Sequence, residues 1–325
     1  SNIFSSQLNK EPDMLAIVSI TTPIFLLIAI GYAAVRWRVL PYEAIPGLGR
    51  FVLYFAMPGL ILHTLSSMQF SEVLDFSFII AYGLGSLLML GLGLLISLKV
   101  FKNEPVLAAL KAMGVSMSNT PYFGFPVLLQ VVGGTAAQAF SMALLVETIL
   151  IIPLCMALLE FATSRSTGMS LGRVLIKLHK RMLSNPLLIA IVVGMLISAL
   201  DITLPEPINI TLEMLGRSSA TVALFVIGAS LVDSPLKGKL GGITPMLIGK
   251  LIAHPLMVVF LIWLLPPFDP KLQLAAVLLA AMPMMSIYPI FGSQYGYRNF
   301  TASTLMLTTV CAFFTISGIL MFIQH

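Results

Sequence analysis

Apolar stretches about 20 residues long recur through this chain, separated by short polar turns, and they leave little freedom in how it folds. Such a stretch crosses the hydrocarbon of a bilayer as an α-helix, the form in which a segment satisfies all its backbone groups by itself. Ten are read, over 14–36, 47–67, 76–98, 106–131, 137–161, 186–201, 207–232, 243–265, 272–294 and 301–323. Composition agrees. Of 325 residues 58% are hydrophobic and 10% charged, with a mean hydropathy of +1.01. The expected class is an all-α polytopic membrane protein. Residues 1–13 are polar and read as a flexible N-terminus. The first apolar run is too long for a cleavable signal and leads into further spans.

Lys and Arg set the orientation. Alternate loops on one side carry Arg36, Arg38, Arg50, Lys99, Lys102, Lys111, Arg165, Arg173, Lys177, Lys180, Arg181, Lys237, Lys239 and Arg298. The other side carries Lys10 and Lys271, while Arg217 and Lys250 lie within spans. This bias puts both termini outside the cytoplasm, in a plasma membrane, and favours an even number of spans. The net charge of +5 is spread over loops, so nucleic acid is not an expected partner and the lipid bilayer is. Residues 162–185 form the longest loop, a basic cytoplasmic linker with Leu171, Val174, Leu175, Leu178 and Met182 at helix-like spacing.

One span is interrupted. Ser116–Pro126 reads Ser-Met-Ser-Asn-Thr-Pro-Tyr-Phe-Gly-Phe-Pro, and its prolines remove backbone donors, so a break is expected. Inside a bilayer, a break is tolerated only where it is buried in protein or lines a wet cavity. Span nine is interrupted too, by Pro283 and Pro289. Pro23 and Pro186 are separated by 163 residues, as are Gly31 and Gly194, Pro126 and Pro289, and Gly133 and Gly296. That common offset divides the chain into two halves, 14–161 and 186–325. Five spans per half invert the second half, giving a 5+5 inverted repeat with the two breaks meeting at mid-membrane. Helix N-termini there suit an anion, and the carbonyl ends suit a cation.

The motifs resemble a known family. Pro23-Ile-Phe-Leu-Leu-Ile-Ala-Ile-Gly-Tyr, Phe51-Val-Leu-Tyr-Phe-Ala-Met-Pro-Gly-Leu, Asn119-Thr-Pro-Tyr-Phe-Gly-Phe-Pro and Ala281-Met-Pro look like the auxin efflux carrier family, over nearly the whole chain. The absence of a long cytoplasmic loop points to a bacterial, malonate-carrier-like member of the inner membrane. Pro121 departs from the pattern, standing where the family often has Gly after Asn-Thr. The resemblance implies a fold similar to bile-acid symporters and sodium/proton antiporters. Spans four and nine cross, spans 1, 2, 6 and 7 form a scaffold, and spans 3–5 and 8–10 form a moving core. It implies an organic-anion substrate, such as a mono- or dicarboxylate.

The candidate substrate site comprises Asn119, Thr120, Pro121, Tyr122, Gly124 and Pro126 from the first break, with Pro283, Ser286, Tyr288 and Pro289 from the second. Tyr122, Ser286 and Tyr288 are candidate donors to a carboxylate. A charge at the bilayer centre costs about 2.5–3.5 kcal/mol, so each needs a reason. Glu147 reads as a coupling carboxyl or as a protonated, hydrogen-bonded core residue. Lys250 and His254 share one helix face. Lys250 either neutralises carbonyl ends at the crossing or pairs with Glu147. His254 reads as a packing residue or a proton-coupling group. Glu213 and Arg217, also one turn apart, read as an internal ion pair, with Arg217 as an anion-attracting group at the outer mouth the alternative. His63 reads as interfacial.

Cys155 and Cys311 lie in spans, so a disulfide framework or a cysteine metal site is not expected. No HExxH, GxSxG or Walker A motif is present, and the four His are scattered. An enzyme, ATP coupling, a cofactor and a resident metal are not expected. No filter repeat or charge ring marks a channel. The expectation is a secondary carrier of a small organic anion, with H+ or Na+ as the coupling ion. A sodium-coupled symporter of bile-acid type is the alternative, and a homodimer through the scaffold face is a further expectation.

Overall fold

The computed structural model describes residues 14–69, 73–167, 184–232 and 240–323. The N-terminal stretch 1–13 and most of the basic linker, 168–183, lie outside the described residues. Every regular element among the described residues is helical. In chain order they are α1 (Met14–Arg36), α2 (Tyr42–Ser66), α3 (Phe76–Lys99), α4 (Pro105–Ser116), α5 (120–131), α6 (Gly133–Thr163), α7 (Pro186–Ala199), α8 (Glu206–Ser230), α9 (Gly242–Leu264), α10 (Pro270–Ala281), α11 (Tyr288–Gln294) and α12 (Arg298–Ile323). Beyond Thr163 the chain stays helical to Thr167, past the end expected at 161.

Local chemistry explains where these helices begin. Asp75 accepts the Phe78 N–H at 2.8 Å, Asn185 that of Leu187 at 3.0 Å, and Asp269 that of Lys271 at 2.6 Å. Each cap contributes about 1 kcal/mol. Pro105, Pro186 and Pro270 occupy first helical positions, where a missing N–H costs nothing.

Six helices are individually long and apolar enough to cross a membrane: α2, α3, α6, α8, α9 and 298–322 of α12. Residues 22–36 of α1, with α7 and α10, are shorter apolar helices. At 1.5 Å per residue the twelve residues of α4 reach about 18 Å, a little over half of a hydrocarbon core of about 30 Å. Helices α4 and α5, and α10 and α11, are each a pair of short helices separated by a non-helical break.

One continuous hydrophobic core draws on helices from both ends of the chain. α1 packs mainly on α8, and α7 on α2, while α3 packs on α4 and α9. Close crossings are built by glycine. A Cβ at Gly31 in α1 would lie 2.1 Å from the Phe225 carbonyl of α8, and one at Gly194 in α7 would lie 3.0 Å from Leu65 of α2. Gly133 (φ 60°) and Gly296 (φ 82°), just past the ends of α5 and α11, adopt the left-handed conformation glycine tolerates best.

Four of the helices contain a widened π turn: Val52–Ala56 in α2, Thr120–Gly124 in α5, Glu147–Ile151 in α6 and Gly249–Ala253 in α9. Such turns concentrate at functional sites. Three of the four carry a polar residue of the cluster described next.

Candidate functional site at the crossing of the two breaks

The first break comes before its prolines. α4 stops at Ser116, Met117 turns extended (φ −105°, ψ 139°), and Asn119 (φ −82°, ψ 59°) leads into α5. The Asn119 carbonyl accepts the N–H groups of Phe123 at 3.0 Å and Gly124 at 2.9 Å, closing the first, widened turn. Pro121 lies in the opening turn of α5, and Pro126 sits in mid-helix just after the π turn; neither ends the helix. The second break, 282–287, contains Pro283, whereas Pro289 sits in the first turn of α11. The expectation that all four prolines interrupt helices is corrected for Pro121, Pro126 and Pro289. Pro121 and Pro289, in first turns, have no intrahelical donor to lose, and Pro126 follows the widened turn of α5 without interrupting it.

The two breaks touch. The Asn119 N–H donates to the Pro283 carbonyl at 2.8 Å, and the Asn119 side-chain amide donates to Ser286 Oγ at 2.8 Å. Asn119 is 2% exposed. At the start of α5 the N–H groups of Thr120 and Tyr122 have no backbone acceptor among the described residues, and Pro121 has no N–H to offer.

Beside this contact lies a buried polar cluster. Lys250, fully buried in the π turn of α9, donates to Ser118 Oγ at 2.7 Å and to the Ala280 carbonyl at 3.0 Å, and lies 2.9 Å from His254 Nδ1. Three acceptors use up the three protons of an ammonium. His254 Nδ1 then acts as an acceptor. With Lys250 an ammonium, this leaves Nε2 to carry the ring proton toward Ser86 Oγ, 3.1 Å away. Of the two readings of Lys250, the carbonyl-end role describes its contacts. Among the described residues the one ion pair is Glu213–Arg217, so Lys250 and Glu147 make no direct pair.

Glu147, fully buried, opens the π turn of α6. Its Oε1 accepts Tyr82 OH from α3 at 2.7 Å and Thr120 Oγ1 from α5 at 2.7 Å. The Ser118 backbone N–H also faces the carboxyl, yet Oε2 has no partner in hydrogen-bond geometry. One carboxyl thus ties three helices together next to the first break.

The remaining candidates have other partners. Tyr122 OH donates to the Gly49 carbonyl of α2 at 3.1 Å, and Tyr288 OH to the Leu110 carbonyl of α4 at 3.0 Å. Both phenols are engaged with backbone rather than presented to a ligand. Gly124 admits Leu279, whose Cδ2 would lie 2.7 Å from a Cβ there. His63 Nδ1 faces Asn209 Oδ1 at 2.7 Å, joining α2 to α8. The Glu213–Arg217 pair, at 2.6 Å, is not internal: its side chains are 40% and 78% exposed on α8. The cluster members missed in the sequence are Tyr82, Ser86 and Ser118. A signal existed for two of them, because Tyr82 and Ser86 are one helical turn apart in an apolar span, as Lys250 and His254 are.

A family described as "Membrane transport protein" matches residues 16–320. A "Putative malonate transporter" of Rhizobium meliloti (strain 1021) is 26% identical over 318 residues, covering 96% of this chain and 97% of that protein. The "Lysosomal cholesterol signaling protein" of Mus musculus is 24% identical over 289 residues, 84% of this chain but 33% of that protein. With a broken-helix crossing at its centre and a family match from near one end to the other, the chain belongs to the membrane transport proteins of the auxin efflux carrier family, and is not an enzyme.

Proposed function

We propose that this transporter is a secondary carrier for a small organic anion of the mono- or dicarboxylate class, with malonate the first candidate because a full-length relative is named for it. Its ten passages form two inverted halves, 14–161 and 186–325. A core of α3–α6 and α9–α12 moves against a scaffold of α1, α2, α7 and α8. Support for the repeat lies in matched local geometry: the close crossings at Gly31 and Gly194, and the left-handed glycines 133 and 296 after the second piece of each broken passage.

The observation that carries the reading is the contact of Asn119 with Pro283 and Ser286, beside the two unpaired N–H groups that open α5. Free N–H groups at a helix start carry a partial positive charge and receive carboxylates. Uptake of radiolabelled malonate and other carboxylates into liposomes holding the purified protein tests it. Asn119→Ala abolishes uptake while the protein remains folded by thermal unfolding. Undiminished uptake by a folded variant removes the crossing from the transport site.

Proton coupling through Glu147 is favoured over the sodium-coupled alternative. Lys250 already supplies a cation to the carbonyl end of α10 through Ala280, where a bound sodium would otherwise find its oxygens. Glu147, in contrast, is an acid with one unengaged oxygen. Uptake driven by a pH gradient and indifferent to sodium supports this reading; a strict sodium requirement reverses it.

A further inference from the structure

Asn119 raises a question that a plain anion site leaves open. Its Oδ1 is buried and has no hydrogen-bond partner, while its Nδ2 is engaged with Ser286. An orphaned buried acceptor is costly and calls for a donor. None comes from the neighbouring cation. The three protons of Lys250 are committed to Ser118, His254 and Ala280. Glu147, the other ionisable group beside the first break, is itself an acid whose Oε2 is unpaired. The crossing therefore offers two backbone N–H groups to a negative group, one acceptor to a donor, and no uncommitted cation to a second negative charge.

We propose that the substrate is a singly charged carboxylate that carries its own hydrogen-bond donor: a dicarboxylic acid with one proton retained, or a hydroxy acid. The carboxylate meets the N–H groups of Thr120 and Tyr122, and the acid or alcohol O–H donates to Asn119 Oδ1. This rests on the proposed anion site at the crossing and specifies which anions fill it. A dicarboxylate dianion is disfavoured because its second charge would be buried without a partner. A monoanion with no donor is disfavoured because Asn119 Oδ1 stays unpaired, and sites built to bond a substrate O–H discriminate strongly against analogues lacking it.

Methylation of the donor isolates the effect. Thermal unfolding and calorimetric binding on the purified full chain compare malonate with monomethyl malonate, and glycolate with methoxyacetate, at pH 5 and pH 7.5. The expected result is at least about tenfold tighter binding of each donor-bearing acid over its methylated partner at pH 5. The glycolate preference persists at pH 7.5, while malonate loses affinity there as its second proton leaves. Equal affinity within both pairs, as a reversed Asn119 amide presenting N–H would give, overturns the donor requirement and leaves the anion site standing. Malonate that binds better at pH 7.5 overturns the single-charge claim. Failure of all four acids to bind at either pH overturns this inference and the proposed function together.

Discussion

Two pairs of ionisable residues have the same spacing, four apart on an apolar helix, and meet opposite fates. Lys250 and His254 on α9 are fully buried, and each bonds to residues from other helices. Glu213 and Arg217 on α8 bond to each other, and the arginine side chain is 78% exposed. A helix-surface pair closes on itself and contributes little, whereas a buried ammonium must be matched proton by proton. Identical spacing thus marks a self-contained exposed pair in one place and the centre of a buried polar cluster in the other. The difference lies in the helices packed around each pair.

The contrast is sharpened by substitution. Lys250→Met leaves Ser118 and the Ala280 carbonyl unpaired beside the crossing. It lowers stability by about 1–3 kcal/mol for each buried group left unpaired and abolishes uptake, read by thermal unfolding in detergent and by liposome transport. Glu147→Gln keeps the shape and the Tyr82 and Thr120 contacts but cannot ionise; it flattens the pH profile of uptake, and a retained profile moves coupling elsewhere. Tyr122→Phe removes the one bond between α5 and the Gly49 carbonyl of α2, across the proposed core–scaffold boundary. It shifts the conformational balance by about 1 kcal/mol, roughly fivefold, measurable as the alkylation rate of a single introduced cysteine. The smallest effect belongs to the Glu213–Arg217 pair. Glu213→Gln with Arg217→Gln changes stability least, because the pair bonds to itself, and a large loss would show that this pair, too, is held by other parts of the protein.

Much of the site was legible because proline, glycine and isolated charges stand out in apolar spans. Asn119, Glu147, Lys250 and His254 all lie at the crossing or in the cluster beside it. Their roles were less legible. Pro121 and Pro289 look like helix breakers, yet each sits in a first turn, because a proline's effect depends on which side of it the helix forms. Tyr122 and Tyr288 look like ligand donors, yet their hydroxyls reach carbonyls on α2 and α4. Tyr82 escaped notice since a tyrosine in a span is unremarkable until a carboxyl from α6 is placed beside it.

From residue order alone came the helical class, the long apolar helices and the two interrupted stretches. Hydrocarbon leaves an isolated apolar segment one way to satisfy its backbone, so length and polarity suffice to predict it. The partnerships came only with the fold. Glu147 with Tyr82, Lys250 with Ser118 and Asn119 with Ser286 join residues 65, 132 and 167 positions apart. Contacts at such separations depend on which helix faces meet, and local periodicity does not encode that.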